Sequence, residues 1–434
     1  MEFKEINEAL HNELKKYFYN TPLINMFKLT PLPPVLFCAE SYESVASDLT
    51  LILKAQSIIL SYLMTLMSQD EILEYFNVPV QIRDLVDWSL LKNGGRLIGR
   101  ADVLLDKNGK CWLCELNVGP AIEGPLMHEV SCKYLKEIGF DTNGLKHGVS
   151  PYSDLARLIK NLCDENQKTR VILLDLEAYE HWAGSIAYHP LLNYVRLECP
   201  GIEVLLVNEN SYLEEWFTYE EGSKNLVYRL FLEEEIVDGG ELVRRICNSG
   251  ALLLNTFENY VTGCKSWFSL FHDPILRSNL EQKYLSAIDR RIPKTIRVSK
   301  ENLSALLKKK EEYVFKKCNS TGGKGVILGE ESTSENIILS IQNNHSQWIA
   351  QEVIHQCSYK LPDINLNVFD EQFVVFGLYY INNNTSGLSV RSNKRSKAVN
   401  VSSGGMPGWA LPITSDENKI LLTCLDVLFK DSKI

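Results

Sequence analysis

The sequence predicts an α/β protein of the mixed α+β kind, and three observations predict it. At 434 residues the chain exceeds the size at which one hydrophobic core stops growing, so two or three subdomains sharing a cleft are expected. Apolar runs between 170 and 256 alternate with helical segments, which argues for a small α/β layer. From about Pro293 onward the pattern changes to a mixed sheet carrying one charged helix.

Taken in order, residues 6–76 read as mainly helical, with a proline-rich break at Thr30-Pro31-Leu32-Pro33-Pro34. The apolar run 51–67 carries Lys54, Gln56, Ser57 and Ser61, so it reads as a buried or amphipathic helix. No stretch reads as long enough to span a membrane, and the acidic start lacks the apolar centre of a signal peptide. Residues 99–105 read as a strand, Asp106-Lys107-Asn108-Gly109 as a hairpin turn whose Asn-Gly step tolerates positive φ, and 111–116 as the returning strand. Further strands are expected at 170–176, 202–207, 226–231 and 251–256, with a helix around 179–195. The last part offers strands at 294–298, 313–316, 325–328 and 348–354 and a helix over 300–310.

Composition excludes some functions. With 45% hydrophobic and 23% charged residues, the chain is globular rather than disordered. A net charge of -10 gives no electrostatic footprint for duplex nucleic acid or an anionic membrane, so neither is expected as a partner. The eleven cysteines have no regular spacing and read as reduced thiols of a cytoplasmic protein. Cys111 and Cys114 have the spacing of a zinc or redox motif, but no second pair accompanies them.

The residues that carry chemistry fall in two distant groups. On a strand, Arg100 and Asp102 share one side, as do Glu115 and Asn117 on the returning strand, so all four can converge. Two carboxylates and an amide oxygen are hard donors suited to magnesium, and the arginine suits an adjacent anion. An exposed charged hairpin face, with Arg100 paired to Asp102 or Glu115, accounts for the same residues. Far downstream, Thr321-Gly322-Gly323-Lys324-Gly325 lacks the spacing of a P-loop but supplies a glycine-rich turn whose N–H groups can close over phosphates. Of the late basic residues, Lys316 and Arg391 are expected to point inward.

With these residues assembled, the chain resembles the ATP-grasp superfamily, specifically its circularly permuted branch, which includes the ligase half of glutathionylspermidine synthetase. The metal strand here precedes the lysine strand and glycine loop, the reverse of the unpermuted order. The resemblance runs from about Gly99 onward. The helical N-terminal region, 1–90, lies outside it; the resemblance implies a metal-binding part of one subdomain over 91–165 and an α/β subdomain preceding the grasp over 166–262. A nucleotide-binding subdomain over 263–353 and a return to the first over 354–434 complete it.

Carried over to this sequence, the resemblance implies Asp102, Glu115 and Asn117 as magnesium ligands and Arg100 and Arg391 as catalytic groups on the transferred phosphate. Lys265 and Lys316 would be the nucleotide lysines, and Gly322, Gly323 and Gly325 the lid. Gln351, Glu352 and Val353 would line the adenine pocket, and Asn400 would face the γ-phosphate. The chain departs from the pattern in having Lys317 where proline usually follows the second lysine, and it lacks the amidase half of some relatives. The activity implied is ATP-dependent joining of a small-molecule or peptide carboxylate to an amine, with ATP and magnesium as cofactors. A phosphotransferase and a non-catalytic nucleotide-binding protein are the alternatives, and the reading leaves room for a homodimer.

Overall fold

The computed structural model describes residues 32, 34–95, 98–119, 124–137, 139–177, 184–211, 214–236, 240–320, 323, 325–362, 368–382, 384–399 and 404–431. Gly322 and Asn400 lie outside the described residues.

In chain order the strands begin with β1 (Val35–Cys38), β2 (Ile98–Leu105) and β3 (Cys111–Val118). There follow β4 (Arg170–Asp175), β5 (Glu203–Asn208), β6 (Asn225–Arg229) and β7 (Leu252–Leu254). The next group is β8 (Thr295–Arg297), β9 (Tyr313–Lys317), β10 (Val326–Leu328) and β11 (Trp348–Glu352). The last is β12 (Ser358–Pro362), β13 (Phe369–Ile381), β14 (Asn384–Asn393) and β15 (Met406–Ile413).

These strands make three sheets. The largest runs β1-β15-β14-β13-β2-β3, with β12 also paired to β13, so the early hairpin and the late strands share one sheet. A second runs β10-β9-β11-β8. The third, β5-β4-β6-β7, is wholly parallel, and the near-continuous burial of its central strands β4 and β6 explains why they read as unbroken apolar runs.

Two expectations need correction. Just after the proline-rich break lies β1 rather than helix, and it pairs in parallel with β15 along the sheet edge. The helix α1 (Ala39–Leu66) that follows is, at 28 residues, long and apolar enough to cross a bilayer, against the expectation that no stretch reaches this length. Here it packs as a core helix: Leu49, Ile52 and Ile59 are fully buried. Its buried Asp48 is gripped by Arg290 and Arg291 of α2 (Gln282–Arg291) at 2.6 and 2.7 Å. Arg291 also donates to the carbonyl of Cys111 at 3.1 Å, which ties both helices to the start of β3.

The second sheet carries its own small core of Val298, Phe315, Ile337, Ile341 and Ala350. The charged helix expected over 300–310 starts from a capping box on Ser299 and ends at Leu307, because a 3-10 turn over Lys310–Glu312 takes the remaining residues. At the far end of the hairpin, Leu232, just past β6, lies beside Gly119, and Gly263 lies against Val118.

Candidate active site

The hairpin sets the geometry. Across β2 and β3, Arg100 faces Asn117 and Asp102 faces Glu115, so the four side chains leave one face of the sheet. The ladder then slips: Glu115 opposes Asp102 and Leu113 opposes Val103, which leaves Cys114 as an extra, bulged residue. That bulge connects the two distant groups, since the carbonyl of Cys114 accepts a hydrogen bond from Lys316 Nζ at 2.9 Å.

On the other side of β2, Tyr379 of β13 faces Arg100 and Gly377 faces Asp102. Gly377 in turn faces Ser389, and Val375 faces Arg391, so Ser389 and Arg391 lie on the same face as the carboxylates. The glycine is required here: a Cβ on Gly377 would stand 2.3 Å from Arg100 Cδ and 2.5 Å from Ser389 Oγ.

Asp102 lies between two guanidinium groups. Arg100 Nε is 3.2 Å from Oδ1 and Arg391 Nη2 is 2.7 Å from Oδ2. Burial pushes the carboxyl up, but Arg391 and then Arg100 outweigh it and hold Asp102 below the usual aspartate range. The exposed, solvated hairpin face is therefore corrected: the Arg100–Asp102 pair exists, but both side chains are only 13% exposed.

Lys265 sits at the junction of α3 (Glu258–Thr262) and the short helix Ser266–Leu270. Its backbone N–H donates to Cys318 at 3.0 Å, while its Nζ donates to the carbonyl of Ser320 at 2.6 Å and lies 2.9 Å from Glu115 Oε1. Lys316, the penultimate residue of β9, shares a face with Gln351 of β11 and donates to its Oε1 at 2.8 Å. Both lysines are buried.

The remaining expected residues are placed less centrally. The Gln351 amide is committed to Lys316 and, at 3.3 Å, to Thr295; Glu352 is exposed; and the Val353 N–H donates to Glu312 at 2.9 Å. Gly323 and Gly325 both have positive φ, of 74° and 72°, and a Cβ on Gly325 would meet that of Lys317 at 2.7 Å. Lys317, where proline is usual, donates its N–H to Gly325 at 2.8 Å, a bond that proline cannot make.

Among the described residues, Arg100, Lys265, Lys316 and Arg391 bring four positive charges against the two carboxylates Asp102 and Glu115. This surplus suits a polyanion. Asn117 Nδ2 and Arg391 Nε are buried without a hydrogen-bond partner, a costly arrangement that ligand oxygens would relieve. The Asn117 amide can turn end for end, which would present its oxygen to a cation instead. No group of three His, Cys, Asp or Glu side chains suited to a metal ion occurs among the described residues, so the oxygen set is two carboxylates and one amide.

Sequence reasoning missed Tyr379 and Ser389. The Tyr379 hydroxyl is buried and hydrogen-bonded to Ser389 and Arg100. Alternation along β13 carried no signal for it, because nearly every residue of its second half is buried on both faces.

No protein-family profile matches the sequence, and no curated protein does. Solved structures do. The fold is similar to that of a glutathione synthetase-like effector from Globodera pallida in apo form, with a TM-score of 0.58 at 12% identity over 95% of this chain and 98% of that one. A putative gamma-glutamylcysteine synthetase from Methylobacillus flagellatus KT gives a TM-score of 0.41 at 11% identity, covering 91% of this chain and 96% of that one. The first likeness establishes a shared α/β architecture across nearly the whole chain.

Proposed function

We propose that the protein is an ATP-dependent carboxylate–amine ligase of the circularly permuted ATP-grasp kind, forming an amide through an acyl phosphate and releasing ADP and phosphate. One observation carries the reading: Lys316 and Lys265, from the second sheet and its approach, reach the carbonyl of Cys114 and the carboxylate of Glu115 on the hairpin, each at 2.9 Å. Lysines that neutralise a polyphosphate and oxygens that suit its cation thus occupy one spot.

In this reading Lys265 and Lys316 hold the nucleotide phosphates, with Gly323 and Gly325 in the loop above them. Arg100 and Arg391 flank the moving phosphoryl group and stabilise charge on its oxygens. The donor set of Asp102, Glu115 and Asn117 fits magnesium, which supplies further neutralisation of phosphate oxygens when bound. The enzyme's contribution is chiefly positioning of the acid and amine and exclusion of water from the activated carboxyl. The neighbour's glutathione synthetase-like name supports a ligase and leaves the acid and amine open.

The test is a screen of acid and amine pairs for phosphate release from ATP that requires both partners. Glu115→Ala should lower the release by about a hundredfold or more. Unchanged release in that variant would overturn the site. A stable phosphorylated product formed without amine would favour a phosphotransferase.

A further inference from the structure

Two buried thiols each stand close in sequence to one of the two candidate nucleotide lysines. Cys264 immediately precedes Lys265, and Cys318 follows Lys316 by two residues at the end of β9. The segments are already joined by the Lys265 N–H to the Cys318 carbonyl at 3.0 Å, which sets the two cysteines one backbone hydrogen bond apart. Both residues are at most 2% exposed. Cys264 Sγ lies 3.2 Å from Ser266 Oγ, which accepts at 2.9 Å from Arg297 Nη1, so a guanidinium stands behind the pair.

The pair is chemically unequal. The neighbouring Cys264 thiol, aided by Arg297 and Lys265, outweighs burial and draws Cys318 down to about 7, while burial pushes Cys264 well up. The cations Arg297 and Lys265 favour the Cys318 thiolate as the nucleophile, which leaves Cys264 as the resolving thiol.

We propose that Cys264 and Cys318 form a redox-responsive dithiol, which hydrogen peroxide converts to a disulfide that ties the Lys265 segment to the end of β9 and disables the phosphate cradle. The Cys318 thiolate attacks one peroxide oxygen, the O–O bond breaks, and the departing hydroxide takes a solvent proton to become water. Cys318 is left as a sulfenic acid, oxidised by two electrons. The Cys264 thiol then attacks that sulfur; the S–S bond forms, the S–O bond breaks, and the leaving hydroxide takes the Cys264 proton as a second water. A small peroxide suits the site because neither sulfur is open to a bulky oxidant. Closing the S–S bond draws the two segments together, and Lys265, adjacent to one cysteine and bonded to Ser320 near the other, moves with them. The effect on nucleotide binding rests on the ligase reading above; the cross-link itself does not.

The test uses the full chain, treated with a few-fold molar excess of hydrogen peroxide, quenched in denaturant with N-ethylmaleimide and mapped by mass spectrometry without reduction. A Cys264–Cys318 cross-linked peptide that dithiothreitol removes is expected, together with a dimedone adduct on Cys318 in the Cys264→Ser variant. Calorimetric titration with magnesium-ATP should give affinity at least about tenfold weaker for oxidised than for reduced wild type. Recovery of both cysteines as alkylated thiols, while exposed Cys247 oxidises, would overturn the proposal. So would a cross-link that leaves affinity unchanged. If the reduced chain binds no nucleotide, the ligase reading fails, and the peptide map still decides on the dithiol.

Discussion

Replacing Glu258 with glutamine should change how stability depends on pH. Glu258 opens α3, the helix that delivers Lys265 to the site, and is 1% exposed. Its Oε1 accepts the backbone N–H of Asp87, and its Oε2 is buried with no hydrogen-bond partner. Burial raises the carboxyl from the ordinary 4.5 to about 7. Between those values the folded state keeps a proton that the unfolded chain has released, so stability falls as pH rises through the window and levels off above it. A difference of about 2.5 units, at about 1.4 kcal/mol each, amounts to about 3 kcal/mol. Glutamine keeps an oxygen for Asp87 and carries no charge. Urea unfolding followed by circular dichroism at pH 5 and pH 8 should show the variant gaining about 2.5 kcal/mol on wild type between the two, since part of the window lies below pH 5. A gap that stays constant with pH would refute the reasoning.

Two further outcomes follow from packing. Asp48→Ala would leave the buried Arg291 guanidinium without its carboxylate, and should cost about 3–5 kcal/mol in chemical unfolding; a loss under about 1 kcal/mol would show that Ser44 and Cys111 suffice for it. Gly377→Ala drives a methyl into Arg100 and Ser389, and should cost about 1–3 kcal/mol of stability. The same variant should lose amine-dependent phosphate release beyond that of a control at the exposed Leu339, measured at matched folded fraction.

Period and turn chemistry made much of the architecture legible. The Asp-Lys-Asn-Gly turn located the hairpin, and the period of two placed Arg100, Asp102, Glu115 and Asn117 on one face. The parallel strands announced themselves as apolar runs, most clearly the central β4 and β6, which are nearly continuously buried. Other features left no local trace. Val35–Cys38 is too short to show a period, and its strand character comes from pairing with residues more than 370 positions away. The bulge at Cys114 depends on the partner strand's register, so the use of its carbonyl by Lys316 was invisible. Gln351 was expected beside an adenine, but Lys316 and Thr295, on neighbouring strands, take its amide.

The interleaving of the largest sheet bears on how the chain reaches its native state. Strand β2 has β3 on one side, available at once, and β13 on the other, separated from it by more than 260 residues. During synthesis the early hairpin therefore waits with one hydrogen-bonding edge open, while the parallel layer over 170–254 has all its strands available locally. Closure of that edge is a late, slow search of high contact order. Nascent chains halted before residue 369 should thus hold a folded middle layer and a candidate site still in two pieces, at the stage where chaperones have most to protect.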